Sequence, residues 1–133
     1  MFTRTRDIGD DAGARLRISV APHPAGAMVT LERRDQRHRP SIWLNLYGAE
    51  ILSGFLMAAR LSVPHPMPDE IAESACPTRF RLDCSPAAQV IVEQDEAFPL
   101  IIGSALWDRL YAELCLVTAH GRELARRVGV SLH

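Results

Sequence analysis

Arg15-Leu16-Arg17-Ile18-Ser19-Val20 is the stretch that decides the fold class. Apolar and polar residues alternate strictly along it, as they do in a strand with one buried face. The same period of two returns at residues 27–32 and 41–46. It then gives way to the helical period of 3.6 at residues 47–61, where apolar residues fall on one face. This order predicts one unit of three strands and a helix, written βββα.

The second half of the chain repeats that order. Residues 79–83 and 88–94 alternate as strands, and residues 98–102 form a short third strand. Apolar residues then recur at helical spacing from residue 104 to about residue 127. The sequence therefore predicts an α+β fold of two tandem βββα units. Each unit has an antiparallel sheet followed by a long amphipathic helix, and pseudo-two-fold symmetry relates the two.

The two halves can be overlaid on one another. Arg15-Leu16-Arg17-Ile18 matches Arg79-Phe80-Arg81-Leu82, and residues 27–32 match residues 88–93. The inward faces agree as well as the order of the elements. We therefore expect one shared core, formed by Leu16, Ile18, Val29, Leu44, Leu52, Leu56, Phe80, Leu82, Val90, Ile102, Leu110 and Leu114.

The predicted boundaries follow from these patterns. Residues 1–13 lack periodicity and are interpreted as a disordered or frayed tail, which leaves residues 14–133 as a single domain. The two repeats cover residues 14–63 and 77–128. A proline-rich linker at residues 64–76 joins them, because proline sustains neither a helix nor a central strand.

Composition excludes several classes of protein. The chain of 133 residues carries a net charge of −1 and has no apolar run long enough to cross a membrane. No apolar segment follows the arginines near the N-terminus, so no secretory signal is predicted and the expected location is cytoplasmic. All 15 basic residues are arginine, which suits bidentate recognition of phosphate or carboxylate. An arginine-rich codon usage accounts for the same bias.

Catalytic and metal-binding motifs are missing from the sequence. The three cysteines show no CxxC spacing and the five histidines no HxxxH spacing, so neither a metal nor another cofactor is expected. No GxSxG-type elbow marks a nucleophile. We therefore do not expect an enzyme.

The outward face of the predicted sheets holds the candidate site. Alternation places arginines and an aromatic ring there, and a single strand of nucleic acid needs cations for its phosphates and flat rings for its bases. The expected nucleic-acid-binding residues are Arg15, Arg17, Trp43, Arg79 and Arg81. Glu32 and Glu93 fall on the same face and repel phosphate. Met28, Trp43, Ile91 and Ile101 lie on this face as well, so it also fits a solvated surface, a second buried layer or a dimer contact.

Tandem units of antiparallel strands and a helix resemble the PC4, Whirly and Pur-alpha families of single-stranded-nucleic-acid-binding transcriptional regulators. The resemblance is one of topology, spans roughly residues 14–128 and rests on no shared motif. Those families usually have four strands per unit, one more than the alternation predicts here. The resemblance implies a non-enzymatic regulator that binds single-stranded DNA or RNA.

Two other functions remain open at this point. The chain could be a protein-interaction or assembly module that binds a protein partner through its sheet or helix face, or a sensor with a small-ligand cavity between the units. A homodimer is also expected, because the second helix is apolar over a wider arc than one sheet covers. That arc includes Leu106, Leu114, Cys115, Leu116 and Val117.

Overall fold

The computed structural model describes residues 4–24, 26–73, 77–95 and 97–131, with side chains described up to residue 127. Within these residues the chain forms two antiparallel four-stranded sheets and two long helices. The elements are β1 (Arg4–Gly9), β2 (Arg15–His23), β3 (Gly26–Arg33), β4 (Ser41–Asn45), α1 (Leu46–Ser62), β5 (Glu70–Ala72), β6 (Thr78–Asp83), β7 (Gln89–Gln94), β8 (Leu100–Gly103) and α2 (Trp107–Ser131).

Each sheet is a simple meander. The first has the order β1-β2-β3-β4 and the second the order β5-β6-β7-β8, so every strand pairs with its neighbour along the chain. A helix follows each sheet. The predicted α+β class and the tandem layout of antiparallel strands and a helix are confirmed. The predicted number of three strands per unit is wrong, because each sheet has an additional first strand.

The two additional strands correct the predicted boundaries. β1 lies in the segment interpreted as a frayed tail, yet Arg4–Gly9 pairs with β2 along its whole length; residues 1–3 fall outside the described part. β5 lies in the predicted linker and pairs with β6. Both are edge strands. Each buries one apolar side chain, Ile8 or Ala72, so hydrophobic alternation could not reveal them.

Local signals fix the helix boundaries. The Asn45 side chain accepts a hydrogen bond from the Gly48 N–H at 2.7 Å and caps the start of α1. The helix covers Leu46–Ser62, one residue longer at each end than predicted. At the second helix, the predicted start at Ser104 is instead a 3-10 turn, Ser104–Leu106, which leads into α2.

The helices join the two sheets into one core. α2 lies across β1, β2 and β3 of the first sheet and against α1, whereas α1 contacts strands of both sheets. Gly121 permits the close approach of α2, because a Cβ there would lie 2.5 Å from Leu46 Cδ2. Of the core residues predicted above, all are buried except Leu82, which is half-buried.

The apolar arc of α2 is largely covered within the chain. Leu106, Leu114 and Val117 are buried, while Cys115 and Leu116 are exposed. Intrachain packing therefore accounts for most of the arc that suggested a homodimer, and the homodimer stays a prediction. In the part of the chain that the structure describes, no helix is both long and apolar enough to cross a membrane.

Candidate nucleic-acid interface

A row of hydroxyl side chains crosses the face of the first sheet that points away from α2. The strand register places Thr5 opposite Ser19, Ser19 opposite Thr30, and Thr30 opposite Trp43. The Thr5 and Ser19 hydroxyls lie 3.3 Å apart. The row ends at the Trp43 side chain, which is 54% exposed. This face is therefore polar and open, with one large ring at its edge.

Gln94 of the second sheet holds the main chain of Trp43. Its Nε2 donates to the Trp43 carbonyl at 2.6 Å and to Thr78 Oγ1 at 2.9 Å, and its Oε1 accepts from the Trp43 N–H at 3.3 Å. β4 is an edge strand whose outward peptide groups have no neighbouring strand. The amide of Gln94 satisfies both groups of Trp43, so it fixes the strand that carries the exposed ring.

Arg33 makes the corresponding contact in the other direction. Arg33 and Gln94 are the last residues of β3 and β7. Arg33 Nη1 donates to the Ile101 carbonyl at 2.6 Å. Ile101 pairs with Ile91 in β7 as Trp43 pairs with Thr30 in β3, so the two contacted residues hold equivalent places in their sheets. Each sheet thus donates a hydrogen bond from the end of its third strand to the fourth strand of the other sheet.

An ion pair positions Arg33 for this contact. Its Nε and Nη2 donate to the two carboxylate oxygens of Asp35 at 2.9 and 2.8 Å, and the guanidinium is largely buried. The same contact holds the pKa of Asp35 well below its usual range. Asp35 also accepts from the backbone N–H of Arg15, which anchors the β3–β4 connection to the start of β2.

Two of the predicted arginines are held by carboxylates. Arg17 Nε and Nη2 donate to the two oxygens of Asp7 at 2.8 and 3.0 Å, and this contact lowers the pKa of Asp7. Arg81 Nε donates to Glu93 Oε1 at 2.7 Å, which raises the pKa of Arg81. A phosphate would have to compete with these carboxylates for the same donors. Phosphate binding by these two arginines stays a prediction, and the carboxylate partners count against it.

The other two predicted arginines have no carboxylate partner among the described residues. Arg15 is exposed, and its Nη1 donates to the Ala14 carbonyl at 3.2 Å. Arg79 is exposed and lines an open cleft of about 420 Å³. The remaining residues of the cleft are Ile71, Pro77, Thr78, Glu93, Gln94 and Asp95. Gln94 therefore touches both the Trp43 backbone and this cleft.

A second aromatic group lies on the connections between strands. The rings of His38 and Phe98 stack with centroids 4.8 Å apart, although Phe98 is 61% exposed. Exposed Arg37 and Arg39 flank His38 and make no ion pair within the described residues. The basic composition of residues 33–39 was visible in the sequence. The stacking was not, because Phe98 was assigned to a strand, and nothing in the sequence marked Gln94 as a contact between the units.

The described residues hold no cluster of metal ligands. Their histidine, cysteine and acidic side chains form no group of three or more that could hold a metal ion. A comparison of the chain with protein families and with curated proteins finds no match. The candidate site therefore rests on its own geometry: an exposed indole, an adjoining cleft with an arginine that has no ion pair among the described residues, and a basic aromatic loop.

Proposed function

We propose that this protein is a non-enzymatic regulator that binds single-stranded nucleic acid across the outer face of the first sheet and the adjoining Arg79 cleft. The observation that carries the proposal is Trp43. Its ring is exposed, and its main-chain N–H and C=O are both hydrogen-bonded to the side chain of Gln94. An exposed ring on an anchored main chain loses little backbone entropy when a base stacks on it, and stacking tolerates every base.

The phosphate contacts fall to two of the predicted arginines and two others. Arg79, Arg15, Arg37 and Arg39 are exposed and free of ion pairs within the described residues. The hydroxyl row of Thr5, Ser19 and Thr30 beside Trp43 adds neutral donors, which bind phosphate and sugar oxygens without selecting a sequence. The proposal therefore implies binding with little sequence preference and a marked dependence on salt.

Topology adds support. With β1 and β5, each unit has four strands and a helix, the number usual in the PC4, Whirly and Pur-alpha families that the sequence resembles in topology. The paired contacts of Arg33 and Gln94 support a pseudo-two-fold relation between the units, which we include in the proposal. Because folds host many functions, the exposed site carries more weight than the topology.

Fluorescence anisotropy with labelled oligothymidine and oligouridine at low salt tests the proposal. Trp43→Ala should weaken binding by about 1–3 kcal/mol, the range for one stacked base. Tyr47→Ala is the matched control, because Tyr47 is also 54% exposed but belongs to the first turn of α1. Intrinsic fluorescence gives a second readout, since Trp107 is buried and a stacked base should quench Trp43 selectively.

Absence of binding at low salt, or an equal loss for both variants, would refute the proposal. In that case the protein-interaction alternative gains, for which a specific observation exists. The carboxylates that hold Arg17 and Arg81 reduce the positive potential of the sheet faces, while Ile71, opposite Arg79, and Phe98, stacked on His38, stay exposed. A mixed polar and apolar surface of low net charge is typical of a protein interface.

A further inference from the structure

The strand register identifies Arg17 and Arg79 as counterparts in the two sheets. Arg17 lies on β2 directly opposite Glu32, the residue before the end of β3. Arg79 lies on β6 directly opposite Glu93, the residue before the end of β7. Each arginine therefore occupies the same place in its sheet and points to the same side as its glutamate.

The glutamates do not distinguish the two places. Glu32 Oε1 accepts from Arg34 Nη1 at 2.6 Å, and Glu93 Oε1 accepts from Arg81 Nε at 2.7 Å. In both sheets the carboxylate opposite the central arginine is thus already engaged by a second arginine. Asp95 also lines the cleft beside Arg79 and lowers its positive potential.

The edge strands differ at the places opposite Arg17 and Arg79. Opposite Arg17 the first sheet has Asp7, whereas opposite Arg79 the second sheet has Ile71. Asp7 takes both the Nε and the Nη2 donor of Arg17, the pair of donors that a phosphate would use for a bidentate contact. The Ile71 side chain can accept no hydrogen bond, and among the described residues Arg79 has no carboxylate partner and lines the open cleft.

We infer that the two sheets have diverged in anion binding: Arg79 contacts a phosphate of the bound strand, and Asp7 closes the counterpart site at Arg17 by acting as an internal carboxylate ligand. This inference rests on the proposed function and specifies which parts of the two sheets contact the bound strand. The strand contacts the Trp43 edge of the first sheet and the Arg79 cleft of the second, and it makes no phosphate contact with Arg17 on β2.

The salt dependence of oligothymidine binding tests the inference. The slope of log K against log salt is negative, and each phosphate contact on a single strand adds about 0.7 to its magnitude. Arg79→Ala should reduce the magnitude of the slope by about 0.7, and Arg17→Ala should leave it unchanged. Asp7→Ile, which copies the second sheet, should increase the magnitude by about 0.7, and adding Arg17→Ala should cancel that increase. Asp7→Asn is the alternative if Asp7→Ile fails to fold by circular dichroism.

An equal loss from Arg17→Ala and Arg79→Ala, or no gain from Asp7→Ile, would overturn the inference while the proposed function stands. If the wild-type protein binds no oligonucleotide, the proposed function fails and inorganic tripolyphosphate decides the inference. The Nε–Hε resonance of Arg79, followed by NMR, should then shift on titration while that of Arg17 stays fixed, and both should shift in Asp7→Ile. A stationary Arg79 resonance would refute the anion site.

Discussion

Replacing Gln94 by glutamate removes the donor that joins the two sheets at Trp43 and leaves the size and shape of the side chain almost unchanged. The Nε2 of Gln94 makes hydrogen bonds of 2.6 Å to the Trp43 carbonyl and 2.9 Å to Thr78 Oγ1. In Gln94→Glu at neutral pH, a carboxylate oxygen takes the place of that nitrogen. It loses the bond to the carbonyl and faces the carbonyl oxygen without a proton between them.

The size of the effect follows from the lost bond to the Trp43 carbonyl and from the repulsion between the two facing oxygens. A net hydrogen bond contributes about 0.5–1.5 kcal/mol, so we expect the free energy of unfolding to fall by about 1–2 kcal/mol because water can reach the Trp43 peptide groups. For a chain of 133 residues, 1 kcal/mol corresponds to a shift of about 3–4 °C in Tm. The Tm of Gln94→Glu should therefore fall by about 3–8 °C at pH 7.5.

The pH dependence separates this account from a general packing defect. In the folded variant the protonated acid can donate to the Trp43 carbonyl, so the pKa of the introduced carboxyl group should rise above its unfolded value of about 4.3. A raised folded-state pKa gives stability that is present below the unfolded pKa and is lost as the pH rises through the folded pKa. The variant should therefore approach wild-type stability near pH 4 and fall behind it at neutral pH.

Thermal unfolding followed by circular dichroism at pH 4.0 and 7.5 measures both effects. Gln36→Glu introduces the same charge in the β3–β4 connection, where the side chain makes no hydrogen bond within the described residues, and should leave Tm unchanged. If Gln94→Glu matches the wild-type Tm at pH 7.5, or if its deficit is the same at both pH values, the reasoning is refuted.

Two further predictions concern stability. Arg33 lowers the pKa of Asp35, so the contribution of Asp35 to stability is present above its unfolded pKa of about 3.9 and is lost as the pH falls towards the folded pKa. Asp35→Asn should therefore flatten the acid limb of the curve of Tm against pH. An unchanged limb would contradict this account. His120 Nε2 is buried without a hydrogen-bond partner among the described residues, so His120→Leu should raise the free energy of unfolding by about 1 kcal/mol. Exposed His65 provides the control, and an equal or lower Tm for His120→Leu in a thermal melt would contradict the account.

The central elements were predictable because burial and secondary structure agree there. β2 and β3 alternate apolar and polar residues while one face packs against α2, and both helices show an apolar stripe. β1 escaped notice because its order comes from backbone pairing with β2 and from long-range contacts such as Arg6 with Glu113 on α2, at 3.1 Å. Such contacts join residues far apart along the chain, and no local pattern records them.

The candidate site was predictable only in part, for a related reason. Alternation correctly placed Trp43 and Arg79 on exposed positions. It could not show that Arg17 and Arg81 are engaged, because the partner of Arg17 lies on the unpredicted β1 and that of Arg81 lies diagonally across the sheet. A pattern of polar residues gives the face of a strand, whereas the charge of that face depends on which neighbours pair.

The strand register that relates the two sheets is the feature that the sequence could least reveal. The overlay that matched Arg15 with Arg79 and Arg17 with Arg81 keeps every inward residue inward, and so does a shift by two residues. Hydrogen-bonded pairing selects the shifted solution, in which Arg17 is the counterpart of Arg79. Under the first overlay the two sheets look alike, each with one free and one paired arginine. Under the observed register the counterparts Arg17 and Arg79 face different edge-strand residues, Asp7 and Ile71, and that difference makes anion binding by one sheet and not the other an experimental question.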